Sequence, residues 1–109
     1  MELINLEEKE VFQKQGRGFA NLVDEPYLQI NQACLEPGQE VPLHQANSHV
    51  TLTVVRGEGN FFIGNEVIKM GPGKLLRVAF QTPMSIKNES SGQMVFLVIK
   101  TPHPGKMTP

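Results

Sequence analysis

The sequence of 109 residues lacks several features on which whole classes of protein depend. Its single cysteine, Cys34, excludes an intramolecular disulfide and fits a reducing cytosol, so we expect a cytoplasmic protein. The longest apolar run, residues 94–99, has six residues, far below the roughly 20 that span a bilayer. The N-terminus has no apolar stretch suited to a signal peptide. Lysine and arginine are scattered and the net charge is −1, which argues against nucleic acid or a membrane as a partner.

Motifs for nucleophilic or phosphate chemistry are also missing. No Gly-x-Ser-x-Gly sequence occurs, and Cys34 stands in an alternating apolar segment without an evident activating partner. The glycines at 57 and 59 are not followed by Lys-Ser/Thr or by a helix, so they indicate a hairpin turn and not a phosphate loop. We therefore assign no catalytic residue and predict that Cys34 packs as a small buried hydrophobe.

Glycine and proline, by contrast, are abundant. The chain has 10 glycines and 8 prolines, spread along its length, which is typical of many short strands joined by turns. A length of 109 residues suits one domain with one core. We predict a single domain over residues 1–109, with its core within about 10–100, a short helical turn in 3–9 and an extended C-terminal tail in 101–109.

Hydrophobic alternation predicts where the strands lie. The clearest strand is 48–56, in which Val50, Leu52 and Val54 share the face expected in the interior, while His49 points away. The other predicted strands are 10–13, 19–23, 27–35, 59–63, 67–70, 75–80, 84–87 and 93–100. Pro42 cannot donate to a central ladder, so residues 41–43 are predicted at an edge. Because no helix separates these strands, an antiparallel sandwich or barrel is expected.

Residues 36–88 resemble the two motifs of the small single-domain cupins, the RmlC-like jelly-roll family. The first motif has a Pro-Gly turn, a His-x-His pair, a Glu and a Gly, and the second has a glycine turn, a Pro-His step and an Asn. The matching residues are Pro37, Gly38, His44 and Gly57 in the first motif, and Gly71, Pro72, Gly73, Pro83 and Asn88 in the second. The resemblance implies an all-β fold, an antiparallel double-stranded β-helix or jelly-roll barrel.

The resemblance also implies where a metal would be held. Metal-bearing cupins use two histidines and the glutamate of the first motif and the histidine of the second. Only His44 matches that set, because the other three positions are Ala46, Val50 and Met84. We therefore expect no metal and no other cofactor. The alternative is a set of His44, His49 and Met84, with His49 turned inward by a bulge near residue 48, holding a divalent transition metal or copper.

Three functional hypotheses remain open on the sequence. The first is a binding module without catalysis, in which a pocket holds a small ligand. The predicted pocket residues are His44, Val50, Leu52, Met84 and Ile86. The alternative is a metal-dependent cupin enzyme of the dioxygenase, decarboxylase or isomerase type. A third possibility, implied by the resemblance, is a metal-free epimerase that pairs His44 with Tyr27, although the only aspartate, Asp24, is not placed to orient the histidine.

A second copy of the chain is the expected protein partner. We predict a modest apolar patch outside the barrel, formed by Thr51, Thr53 and Val55 together with Phe61 or Phe62. The resemblance implies a homodimer, because small cupins often pair two sheets around a twofold axis. We predict a homodimer.

Overall fold

Short strands separated by turns make up most of the molecule, as the spread of glycine and proline predicts. A computed structural model describes residues 1–107. The nine strands are β1 (Gly18–Glu25), β2 (Leu28–Leu35), β3 (Glu40–Gln45), β4 (Val50–Arg56), β5 (Gly59–Ile63), β6 (Glu66–Met70), β7 (Leu76–Val78), β8 (Pro83–Lys87) and β9 (Met94–Lys100). Two short 3-10 helices, Glu7–Lys9 and Pro104–Lys106, stand at the two ends. Within the described residues, no helix has the length and apolar character needed to cross a membrane.

The strands form two antiparallel sheets. One has five strands in the order β1-β2-β9-β4-β7, and the other has four in the order β3-β8-β5-β6. Strands distant in sequence are neighbours in both sheets, since β2 pairs with β9 and β3 pairs with β8. β3 is an edge strand, as Pro42 predicts, because proline has no amide proton for a second neighbour.

The core lies between the two sheets. Val50, Leu52 and Val54 of β4 are buried and alternate with partly exposed residues, which confirms the interior face predicted from the sequence. Phe61 of β5 meets Phe96 of β9 edge to face, with ring centroids 5.9 Å apart, so the aromatic pair joins the two sheets at their inner faces.

The burial of Phe61 corrects the predicted outer patch. Phe61 is fully buried, and Phe62 belongs to the four-stranded sheet, whereas Thr51 and Thr53 belong to the five-stranded sheet. Two predicted strands also differ. Residues 10–13 form no strand, and the predicted strand 75–80 is shortened to β7 (Leu76–Val78).

The N-terminal segment covers the outer face of the five-stranded sheet instead of extending it. The side-chain amide of Gln32 donates to the carbonyl of Leu6 at 2.8 Å. Glu10 forms an ion pair with Arg56 of β4. A Cβ added to Gly18 would collide with the carbonyl of Val11, so the segment passes directly against the start of β1. Gln32 and Cys34, although on the outer face of β2, are buried for this reason.

The C-terminal tail differs from the extended conformation that its prolines predict. Residues 104–106 form a 3-10 helix, and the His103 side chain accepts a hydrogen bond from the amide of Gly105. The buried hydroxyl of Ser48 donates to the carbonyl of Pro102 at 2.6 Å, which fixes the tail against the loop before β4. Residues 108 and 109 of the predicted tail lie outside the described residues.

Candidate functional site

A cavity of about 70 Å³ opens between the two sheets at one end of the barrel. Its inner wall is apolar apart from the buried Asn31, and its outer rim carries polar and charged side chains. The inner residues include Ala33, Val41, Ala46, Val50, Met84, Ile86, Phe96 and Val98. The remaining lining residues are Arg17, Phe19, Asn31, His44, Asn47 and Lys100.

A bulge in β3 directs His44 toward this cavity. Val41 pairs with Ile86, but His44 pairs with Met84, so β3 has one residue more than β8 between the two pairs. Strict alternation from buried Val41 would place Leu43 inside and His44 outside. With the extra residue, Leu43 is 72% exposed and His44 lies on the same side of the sheet as buried Met84. Pro42 within a strand was the sequence signal for this irregularity.

Four of the five residues predicted to line a pocket do line this cavity. They are His44, Val50, Met84 and Ile86. The fifth, Leu52, is fully buried and does not reach the cavity. Its strand partner Val98 does line the cavity, so beyond Val50 the cavity follows β9 and not β4.

The four positions that correspond to cupin metal ligands meet in the same cavity. His44, Ala46, Val50 and Met84 all line it. They supply one imidazole, one methyl, one isopropyl and one thioether group. The alignment of the sequence to the two motifs is therefore consistent in space, since positions from β3, β4 and β8 converge.

The donors in this cavity do not fit a bound transition metal. Such sites use three or four nitrogen, oxygen or sulfur ligands, commonly histidine, cysteine or carboxylate. Among the described residues that line the cavity, His44 is the one histidine, and none carries a carboxylate or a thiol. The Nδ1 of His44 lies 2.9 Å from the Pro42 carbonyl, which can only accept, so Nδ1 donates to it and, in a neutral ring, only Nε2 has a free lone pair. Within residues 1–107, no group of three or more His, Cys, Asp or Glu side chains is arranged to hold a metal.

The alternative ligand His49 lies elsewhere. The predicted bulge near residue 48 is absent, and His49 precedes β4 with its ring edge-on to Phe80, at a centroid distance of 6.3 Å. It lines a separate surface depression with Thr51 and Arg77 and does not line the cavity. The structure therefore brings His44 and Met84 together but not His49.

A histidine–aspartate pair does exist, but it involves the C-terminal tail. His103 Nε2 lies 2.7 Å from Asp24 Oδ1, and its Nδ1 accepts from the amide of Gly105 at 2.9 Å. Both ring nitrogens are thus occupied, so the ring holds the tail against β1. Tyr27, proposed as a partner of His44, is exposed in the turn between β1 and β2 and does not line the cavity.

Two cationic residues of the lining were missed by the sequence reasoning. Lys100 is the last residue of β9, and Arg17 immediately precedes β1. Burial lowers the pKa of the Lys100 ammonium group, and the positive charge of Arg17 lowers it further. No local signal marked this pair, because the two residues are far apart in the sequence and each resembles an ordinary charged strand end.

The thiol of Cys34 is buried, and its surroundings do not activate it as a nucleophile. Burial is the main cause that raises the pKa of its thiol above the usual value, while a hydrogen bond involving the Val11 backbone opposes this. Because the thiolate is the nucleophile, a raised pKa makes this cysteine a packing residue. The prediction that it is a small buried hydrophobe is confirmed.

Comparisons with known proteins agree with this architecture. A family model described as a cupin domain matches residues 31–100. An uncharacterized protein of Methanocaldococcus jannaschii is 34% identical over 87 residues, covering 79% of this chain and 75% of that protein.

Solved structures show the same fold. An RmlC-like cupin from Methanocaldococcus jannaschii with a double-stranded β-helix has 30% identity and a TM-score of 0.77, over 88% of this chain and 91% of that one. An RmlC-like cupin from Desulfovibrio desulfuricans has 26% identity and the same TM-score, over 92% and 96%. A Thermus thermophilus protein, at 21% identity and a TM-score of 0.88 over 95% and 100%, shares the fold alone. The fold predicted from the two motifs is confirmed.

Proposed function

Because the chain belongs to the cupin family, and because the four positions aligned with the family's metal ligands line its cavity, we propose that it binds a small, largely apolar ligand there without a metal. The observation that carries this proposal is the convergence of His44, Ala46, Val50 and Met84 on one cavity. Three of these side chains are apolar, so they offer a ligand hydrophobic contact instead of coordination. His44 Nε2 remains available as one acceptor at the rim.

Ligand screening by thermal unfolding tests the binding proposal. Small apolar compounds that enter the cavity should raise the midpoint of unfolding, and the shift should grow with the logarithm of ligand concentration once that concentration exceeds Kd. Ala46→Leu should abolish these shifts, because its larger side chain fills the cavity. Ala79→Leu, the same substitution at an exposed position outside the cavity, should leave them unchanged. If no small apolar compound shifts the midpoint of the wild-type protein, the proposal is wrong.

Elemental analysis tests the metal-free part of the proposal. Purified protein should carry well under one equivalent of transition metal. The triple variant Ala46→His, Val50→Glu and Met84→His should bind a divalent metal, since it restores three ligands around His44. Adding His44→Ala should weaken that binding, whereas adding His49→Ala should not, because His49 lies outside the cavity. A stoichiometric metal in the wild-type protein that is lost with His44→Ala would favour the metal-dependent enzyme.

We further propose that the protein is a homodimer through the outer face of the five-stranded sheet. Ile30, Leu97 and Ile99 are partly exposed there, although residues on an outer face are usually polar. Ile99 pairs with Ile30 on one side and with Thr51 on the other, so the apolar surface is continuous across three strands. A second copy related by a twofold axis would cover this surface with its own equivalent.

A further inference from the structure

The rim of the cavity carries positive charge. Arg17 and Lys100 line it, and among residues 1–107 no aspartate or glutamate does. The chain as a whole is almost balanced, with 11 acidic residues against 10 lysines and arginines, so the separation of charge is local. A recess with apolar walls and one sign of charge attracts ligands of the opposite sign.

Within residues 1–107, no acidic side chain pairs with Arg17 or Lys100. Arg56 and Lys69, in contrast, each lie beside a glutamate. Lys100 is half-buried, and its ammonium group loses hydration and is repelled by Arg17, which is why its pKa is lowered. A bound anion would reduce both unfavourable effects, because it replaces lost hydration and screens the repulsion.

Arg17 is positioned at the rim by an aromatic neighbour. Its guanidinium carbon lies 5.9 Å from the centroid of the Phe19 ring, which also lines the cavity. Contact with an aromatic face orients a guanidinium plane and leaves its N–H groups free at the edge. A planar carboxylate matches this edge with two parallel hydrogen bonds, while an ammonium group such as that of Lys100 adds charge without such geometry.

The inner part of the cavity limits which chemical group can carry the anionic end of a ligand. Val50, Met84, Ile86 and Phe96 form an apolar wall, so a second charged group on the ligand would lose its hydration there. The volume of about 70 Å³ is that of about five waters, at roughly 10–15 Å³ each. This space suits a short hydrocarbon chain whose polar end stays at the open rim.

We infer that the cavity binds a short-chain aliphatic monocarboxylate, with its carboxylate between Arg17 and Lys100 and its chain on the apolar wall. This inference rests on the proposed ligand-binding function and names the chemical class of the ligand. The apolar wall selects the hydrocarbon chain, and the cations select the carboxylate over a neutral or positive end group.

Calorimetric titration of the intact protein with butyrate, 1-butanol and butylamine tests the inference. The three probes share a four-carbon chain and differ in their end group. Butyrate should bind about tenfold more tightly than 1-butanol, since charge-assisted hydrogen bonds contribute a factor of this size. Butylamine should bind more weakly than 1-butanol, because its cation meets Arg17 and Lys100. Acetate and inorganic phosphate should bind more weakly than butyrate, because they lack the chain.

Charge-removing variants locate the carboxylate. Lys100→Gln and Arg17→Gln should each weaken butyrate binding about tenfold and leave 1-butanol binding within about twofold. Lys74→Gln removes the same charge at an exposed position outside the cavity and should change neither. Arg17 is exposed, so Arg17→Gln should fold even if Lys100→Gln, at a half-buried site, does not.

The outcomes separate this inference from the function on which it rests. Equal affinities for butyrate and 1-butanol would overturn the carboxylate while leaving an apolar binding site. Equal weakening of butyrate binding by Lys74→Gln and Arg17→Gln would also overturn the inference, since only the net charge of the protein would then matter. Absence of saturable binding by both butyrate and 1-butanol would count against the inference and the proposed function together.

Discussion

Asn88 is a fully buried polar residue that the motif comparison marked, and the structure shows what it does. Its side-chain amide donates to the carbonyls of Leu35 and Gly92, at 3.0 and 2.8 Å. Its carbonyl oxygen accepts from the backbone amide and the hydroxyl of Ser90. One side chain thus satisfies the polar groups of the turn between β8 and β9 and joins that turn to the end of β2.

Removing this side chain should destabilise the fold. We predict that Asn88→Ala lowers the free energy of unfolding by about 1–3 kcal/mol, because the buried bond to the Leu35 carbonyl and the part-buried bond to the Gly92 carbonyl are both lost. Asn60→Ala deletes the same group where its hydrogen bond to Glu89 is solvent-exposed, and it should cost less. Urea unfolding of both variants measures the difference. Equal losses would show that the buried hydrogen bonds are not what stabilises this turn.

The ion pair between Glu10 and Arg56 should make stability depend on pH. A hydrogen bond from Arg56 is the largest cause that lowers the pKa of the Glu10 carboxyl below its ordinary value of 4.5. A lowered folded-state pKa stabilises the protein above the unfolded value, and this stabilisation is lost as pH falls through the folded value. Arg56→Gln should therefore cost about 0.5–1 kcal/mol at pH 7, since Arg56 is 46% exposed and solvent screens the pair.

The same comparison in acid provides the check. Below the lowered pKa of Glu10, the wild-type protein and Arg56→Gln should approach equal stability in urea unfolding, apart from the contact of Arg56 with Phe12 and its hydrogen bond to Gln93. Lys69→Gln, which breaks an ion pair between two exposed side chains, should show little change at either pH. A penalty for Arg56→Gln that is as large in acid as at pH 7 would contradict the electrostatic explanation.

At the scale of single elements, turns and irregularities decide the geometry of the site. The bulge in β3 is the clearest case, because it exchanges the directions of Leu43 and His44. The turn between β4 and β5 is a second case. Gly57 has φ +79°, a left-handed conformation that costs a non-glycine residue about 1–2 kcal/mol. A Cβ at this position would also collide with the carbonyl of Gln93.

We predict that Gly57→Ala destabilises the protein by about 2 kcal/mol or more, from backbone strain and from displacement of the chain before β9. Gly92→Ala is the matched control, since a Cβ there meets nothing within 4 Å and its φ is not positive. That variant should stay within about 0.5 kcal/mol of the wild-type protein. Thermal unfolding of the two variants gives the comparison, and a tolerated Gly57→Ala would mean that this turn readily adopts another conformation.

At the scale of the whole molecule, the five-stranded sheet has two apolar faces with different environments. Its inner face packs on the four-stranded sheet, and the N-terminal segment covers part of its outer face. The remainder, around Ile30, Leu97 and Ile99, is the surface proposed for the dimer. A molecule of 109 residues with one small core gains stability when such a surface is covered.

Light scattering at micromolar concentration should report a mass of two chains. Ile99→Glu should reduce it to one chain, because a carboxylate on each copy would be buried at a symmetric contact. Val67→Glu places the same charge on β6 of the other sheet, at a side chain that is 61% exposed, and should leave the dimer intact. A wild-type mass of one chain at this concentration would remove the homodimer proposal.

The sequence by itself determined the interior face of β4, which follows from alternation, a local property of the chain. The spacing of glycines and prolines indicated many short strands, and the resemblance to the two cupin motifs implied the fold and the alignment of Ala46, Val50 and Met84 with the ligand positions. Only the tertiary structure decided that Leu52 and His49 lie outside the cavity.

The tertiary structure also decided which charges share the cavity. Arg17 and Lys100 stand at opposite ends of the sequence, and both reach one cavity because β1 and β9 both pair with β2. His103 and Asp24, 79 residues apart, meet for the same reason at the edge of the sheet. The direction of His44 depended on a single added residue in β3. Strand pairing and bulges bring distant residues together, and no periodicity within one strand specifies its neighbours.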